Sequence, residues 1–221
     1  MMKLLHKIWN LLFPPKCVLC HRILADSQTD LCHACRAETP EHPAATIKLP
    51  HLAGWTALWY YEGSVRSSLL RFKFRNARSY AEIYGRLLAM KLLNEQVQYD
   101  VLTWVPISPF RKWMRGYDQV ALIARSVGAE LGATPVCTLK KVRNNPPQSG
   151  FSDAAHRRAN VLGVYRAIEP EQFTGKRVLI LDDIITTGAT AGECARVLLT
   201  AGAKEVFCAA VAAASHQRKK Q

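Results

Sequence analysis

Two adjacent carboxylates at the end of an apolar run, followed at once by a threonine-rich turn, are the residues of this sequence best placed to do chemistry. The stretch is VLILDDIITTGAT, Val178 to Thr190. Val178 to Leu181 suit a buried parallel strand, and Asp182 and Asp183 stand at its C-terminal end, where open α/β sheets hold ligands. Thr186, Thr187, Gly188, Ala189 and Thr190 follow, and a helix begins there. Gly188 permits close backbone approach. Successive N–H groups, the threonine hydroxyls and a helix N-terminus then form an anion cradle. Carboxylates do not bind phosphate, so two of them beside such a cradle imply a sugar. Their oxygens suit the 2- and 3-hydroxyls of a ribose whose 5-phosphate rests in the loop. The absence of Gly-Lys-Thr/Ser excludes a P-loop.

This order resembles the phosphoribosyl pyrophosphate (PRPP) signature of type I phosphoribosyltransferases. Two more motifs, Val105-Pro106-x4-Arg111-x3-Arg115-Gly116-Tyr117-Asp118-Gln119 and Pro147-Gln148-x8-Arg157-x2-Asn160-x2-Gly163, resemble ComF/GntX-family proteins. So do the LLFPPKCVLC opening and the basic LLRFKF at Leu69 to Phe74, and together they run over nearly the whole chain. The resemblance implies a pyrophosphate loop in the turn after the first core strand, with Arg111 and Arg115 as cations near the diphosphate. It also implies a flexible loop carrying Gln148, Arg157 and Asn160, and PRPP or a related ribose phosphate arriving with Mg2+. Read without it, the two arginines are surface residues at a helix start and the loop is a solvated polar segment. Tyr117 and Asp118 stand where Phe and Asn are commoner in the family.

The resemblance further implies a cytoplasmic role in uptake, processing or utilisation of external DNA, as in natural competence. Single-stranded DNA and DNA-handling proteins, such as a helicase or recombination mediator, are the implied partners. As an enzyme the protein would transfer ribose 5-phosphate from PRPP and release pyrophosphate. Asp182 and Asp183 would hold the ribose in an oxocarbenium-like transition state, while Arg111 and Arg115 would stabilise the leaving group. The acceptor is not legible. The same fold also serves regulators that bind without turnover, so the alternative is a non-catalytic DNA- or partner-binding protein.

Four cysteines, Cys17-x2-Cys20-x11-Cys32-x2-Cys35, form two knuckles able to converge on one Zn2+. With all four positions filled by thiolate, that site is structural. Family members often carry a second pair of knuckles, and this sequence has none after Cys35. Cys137, Cys194 and Cys208 lie in apolar stretches and are expected in the core; unpaired thiols beside a zinc knot indicate a reducing compartment.

The formal charge of +13 on 221 residues favours polyanionic partners. Arg66, Arg71, Lys73, Arg75 and Arg78 lie together without an acid among them and are nucleic-acid candidates; Lys140, Lys141 and Arg143 form a second basic stretch. Trp55, Trp59, Tyr60, Phe72 and Phe74 could stack on bases, or fill a core. No run of eighteen apolar residues occurs, so no transmembrane segment is expected. Residues 1–13 read as an amphipathic helix that packs on the metal knot or the main domain, with a membrane-surface role as the alternative.

Positioning these groups requires an α/β fold: a type I phosphoribosyltransferase-like parallel sheet flanked by helices, with a small N-terminal zinc module. Residues 1–40 hold the helix and zinc module, 50–214 the main domain and 215–221 a basic tail. Strands are expected at Trp55–Tyr61, Val101–Ile107, Val136–Val142, Val161–Ala167, Arg177–Leu181 and Glu205–Ala212. Helices are expected around Val65, Leu69 and Phe72, over Tyr80–Leu93 with a stripe of Ile83, Leu87 and Met90, and over Asp118–Leu131 and Thr190–Ala201.

Overall fold

The computed structural model describes residues 14–25, 28–45, 47–143 and 161–215. In chain order the elements are α1 (His33–Glu38), β1 (Gly54–Tyr60), α2 (Gly63–Phe74), α3 (Tyr80–Asn94), β2 (Val101–Trp104) and α4 (Pro109–Arg115). They continue with α5 (Gln119–Leu131), β3 (Leu139–Lys141), β4 (Tyr165–Ala167), β5 (Arg177–Ile185), α6 (Ala189–Thr200) and β6 (Glu205–Ala213). The phosphoribosyltransferase-like parallel sheet runs β1-β6-β5-β2, with every pairing parallel. Among the described residues no helix is long and apolar enough to cross a membrane.

Both faces of β5 are covered, which is why it reads as a continuous apolar run. Leu179 and Leu181 enter the larger core, with Phe72 of α2, Tyr84 and Leu88 of α3, and Ile123 of α5. Val178 and Ile180 point the other way and meet Cys194 and Leu198 of α6. This two-residue alternation sets the direction of the acids that follow.

Two expected strands depart from the parallel sheet. Segments 136–142 and 161–167 contribute only β3 and β4, which pair antiparallel with each other. The approach to β3 still lies along β2: the Val136 N–H donates to the Leu102 carbonyl at 2.8 Å, and the Thr103 and Thr138 hydroxyls meet at 2.8 Å.

The stripe expected on α3 is also shifted. The helix buries Tyr80, Ala81, Tyr84, Gly85, Leu88, Ala89 and Leu92, while Met90 is 55% exposed. Gly85 leaves no room for a Cβ against Ser126 of α5, so the two helices close there. Tyrosines complete the face because their hydroxyls find partners: Tyr84 with Ser68 at 2.6 Å, and Tyr80 with His21 Nδ1 at 2.8 Å. Cys194 and Cys208 are core residues as expected, but Cys137 is exposed, one residue before the buried Thr138.

The zinc module shares the larger core. Cys17, Val18 and Leu19 are fully buried in the same cluster as Leu69, Phe72 and Tyr84. Ser68 donates to the Val18 carbonyl, and Arg71 donates to the carbonyls of Val18 and Leu19. Helix α2 is thus tied to the first knuckle by the buried Ser68 and the half-buried Arg71.

Candidate functional site

The β5 alternation sends the two acids to opposite faces of the sheet. Asp183 follows Leu181 toward α2, where its Oδ2 lies 2.7 Å from Lys73 Nζ. Asp182 follows Ile180 toward α6 and is only 7% exposed. Its Oδ1 accepts the Asp183 N–H at 2.8 Å. Burial, and then the neighbouring charge of Asp183, push the Asp182 carboxyl up to about 8.

A carboxyl raised above its ordinary value of 3.8 holds a proton in the folded state that the unfolded chain has already released. Stability therefore falls as pH rises from about 4 to about 8. Asp182→Asn keeps the acceptor for the Asp183 N–H and removes that cost. The expected result is a Tm raised by about 2–4 °C at pH 8, on the order of 1 kcal/mol, and little change at pH 4, by calorimetry. A lower Tm at pH 8 would show that Asp182 is ionised and stabilising.

Beyond the acids the chain turns into α6 through Thr186, Thr187, Gly188, Ala189 and Thr190. Gly188 has φ +74° and caps the helix, and Thr187 Oγ1 accepts the Ala189 N–H at 3.4 Å. A Cβ on Gly188 would lie 2.6 and 2.7 Å from the Leu49 methyl groups. Leu49, buried in a segment that reads as linker, therefore braces the loop.

Arg111 and Arg115 lie one turn apart on α4, both partly buried. Ser108 caps the helix by accepting the Arg111 N–H at 3.3 Å, and Gly116 ends it in the left-handed region. Arg115 Nη1 donates to Gln119 Oε1 at 2.9 Å, and its guanidinium sits 5.3 Å from the Phe74 ring centre. Burial lowers the Arg115 pKa, while the charge of Asp183 opposes the shift. Arg111 and Asp182 both act electrostatically on Lys141 and Tyr165. The structure thus brings Asp182, Asp183, Arg111, Arg115 and the 186–190 loop to one end of the sheet. Gln148, Arg157 and Asn160 lie outside the described residues.

The basic cluster divides. Arg71 is committed to the knuckle carbonyls and Lys73 to Asp183. Arg66, Arg75 and Arg78 are exposed; Arg78 lies over the Tyr117 ring at 4.9 Å. Of the stacking candidates, Trp55, Trp59 and Phe72 are core residues, Tyr60 is half-buried and Phe74 is exposed. The exposed aromatics that the sequence reading passed over are Phe110 and Trp113 of α4, 56% and 80% exposed. Their i,i+3 spacing was the available signal.

The four thiols fit a tetrahedral metal. The Sγ atoms of Cys17, Cys20, Cys32 and Cys35 lie within 4.8 Å of one another, and Cys20 and Cys32 are 3.6 Å apart. Four sulfurs at the usual Zn–S distance would stand about 3.8 Å apart. His21, next to Cys20, turns its Nδ1 to the Tyr80 hydroxyl.

Two family models match: a phosphoribosyl transferase domain over residues 118–221 and a double zinc ribbon domain over residues 8–46. Competence protein F of Haemophilus influenzae is 25% identical over 86% of this chain and 93% of its own length. The DNA utilization protein YhgH of Salmonella typhimurium is 30% identical over 88% of this chain and 96% of its own. The chain belongs to the ComF family. Competence protein ComFC of Streptococcus pneumoniae is 27% identical over 68% of this chain and 64% of its own length. The matched zinc model is a double zinc ribbon, and among the described residues there is a single four-thiol cluster. These relatives are named for competence and for DNA utilisation.

Proposed function

We propose that the protein binds a 5-phosphorylated ribose, PRPP with Mg2+ foremost, at the C-terminal end of β5, and serves the use of external DNA in the cytoplasm. The observation that carries this is the order along one strand-to-helix turn: a nearly buried carboxyl, a second carboxylate, then a Gly188 cradle opening α6. The cradle takes the 5-phosphate. Asp182 and Asp183 meet the ribose hydroxyls from the two faces of the strand, and Asp183 exchanges the Lys73 ammonium for a sugar hydroxyl. Arg111 and Arg115 face the group on C1. In a transfer reaction the C1–O bond to pyrophosphate breaks, its electron pair leaves with pyrophosphate, and an acceptor's lone pair closes a new bond to the positively charged C1. Mg2+ arriving with PRPP would supply charge neutralisation to that leaving group. The Asp183 carboxylate stabilises the cationic sugar, Asp182 hydrogen-bonds a ribose hydroxyl, and the arginines stabilise the departing anion.

Ligand-dependent unfolding tests the assignment. PRPP with Mg2+ and ribose 5-phosphate, at about a hundredfold excess over Kd, are expected to raise Tm by about 5–10 °C. Glucose 6-phosphate, with the wrong diol geometry, should do much less. Equal shifts from all three, or none, would rule out a ribose site.

A second reading, a surface for single-stranded DNA, is favoured by the outer face of α4. Phe110 and Trp113 stack with ring centres 6.5 Å apart, beside the exposed Lys112. Phe74, linked to α4 through Arg115, extends the face toward Arg75 and Arg78. Stacked aromatics with cations at their margin bind unpaired bases and backbone phosphates. Affinity for an oligothymidylate should fall steeply with salt and drop in Trp113→Ala; a salt-independent affinity would exclude this surface.

A further inference from the structure

Lys141 reads in sequence as one of a pair of surface lysines, and the fold separates the two. On β3 the side chains alternate, so Leu139 is buried, Lys140 is exposed and Lys141 is buried again, at 8% exposure. The contacts of Val136 with Leu102 and of Thr138 with Thr103 run this segment up beside β2. Three residues past Thr138, the chain arrives at the end of the sheet that carries Asp182.

There the Lys141 ammonium sits 5.4 Å from the ring centre of its strand partner Tyr165, itself buried. It shares its surroundings with Asp182 and Arg111, and the first of these holds its own proton near neutral pH. Among the described residues Lys141 makes no ion pair with a carboxylate. A surface lysine would carry its head to water along an apolar stem. This one does not, and a buried ammonium without an anion is costly. Burial, with Arg111 adding to it, lowers its pKa to about 8. Such an arrangement is stable only as far as the fold forces it, and it is relieved when an anion enters.

We infer that Lys141 is an anion-binding residue of the site and takes the phosphoryl group attached to C1 of the ribose, on the side of the sheet opposite Lys73. The inference rests on the ribose-phosphate assignment above and adds a third cation to Arg111 and Arg115. The 5-phosphate is held elsewhere, by the 186–190 loop. Lys141 therefore distinguishes ligands with an anion on C1 from those with a free C1 hydroxyl.

The test is calorimetric titration of wild type, Lys141→Met and Lys141→Gln with PRPP and Mg2+, and separately with ribose 5-phosphate. Both variants remove a buried charge, so both are expected to fold with a Tm no lower than wild type. PRPP affinity should fall at least tenfold in each, while ribose 5-phosphate affinity changes less than twofold. Unchanged PRPP affinity in either folded variant overturns the role of Lys141. So does an equal loss for both ligands, which marks a structural effect. A wild type that binds neither ligand overturns the ribose-phosphate assignment itself, and the role of Lys141 with it.

Discussion

Removal of zinc by a strong chelator is expected to lower Tm by about 10 °C or more and to loosen α2 as well as the knuckles. The module has too few residues for a core of its own, and the metal fixes it against the main domain. Val18, Leu19, Leu24 and Leu31 are buried there, and each buried side chain of this size is worth about 1.5–3 kcal/mol. Losing them also removes the knuckle carbonyls from Ser68 and Arg71, which keep only their tyrosine hydroxyl partners. At about 2–4 °C per kcal/mol for a chain of this size, even half of that burial amounts to a loss of this order. Near-ultraviolet dichroism should report it through Trp59 and Phe72, which both pack edge-on against Tyr84. One equivalent of zinc per chain, and a chelated protein that melts early, is the expected pair of results. An unchanged melt after complete zinc removal would mean that the shared core stands without the metal.

Gly188→Val is expected to be the most damaging single substitution in the site. The residue adopts φ +74°, which costs a residue with a side chain on the order of 1–2 kcal/mol, and more for a β-branched one. A Cβ also collides with both Leu49 methyl groups. Relief of the clash displaces either Leu49 or the loop, and a displaced loop no longer aims its N–H groups at a phosphate. Affinity for ribose 5-phosphate should drop at least a hundredfold, with Tm lower by several degrees. Gly188→Ala combined with Leu49→Ala separates the two causes. If the clash dominates, the double variant is more stable than the sum of the two single effects predicts. Strict additivity would assign the loss to backbone strain.

Much of this site was legible because its signals are local. An apolar run, two acids and a Thr-Thr-Gly-Ala-Thr turn specify a strand and a helix start whatever the rest of the chain does, and β5 and α6 follow. Strand β5 nonetheless runs past the expected end at Leu181, through both acids, to Ile185. Asp118 and Gly132 likewise mark the ends of α5, and both cap it. Long-range packing was not legible. Met90 looks like a core residue at helical spacing, yet the buried face of α3 is built on tyrosines whose hydroxyls are satisfied by Ser68 and His21. Lys141 has the same charge as Lys140 in sequence, and only the alternation of β3 against β2 and β4 buries one of them. Arg71 and Lys73 resemble solvated cations, but one holds the zinc knuckle and the other holds Asp183. Leu49 has no neighbour in sequence that hints at Gly188; the contact exists because the linker returns across the sheet end.

The central claim is that the β5–α6 turn holds a ribose phosphate, and isothermal titration of the zinc-loaded protein with PRPP and Mg2+ tests it most directly. Wild type should bind with measurable heat at a stoichiometry of one, and an Asp182→Asn/Asp183→Asn variant with an intact melt should give none. Equal binding by the double variant, or no binding by a folded wild type, would contradict the claim.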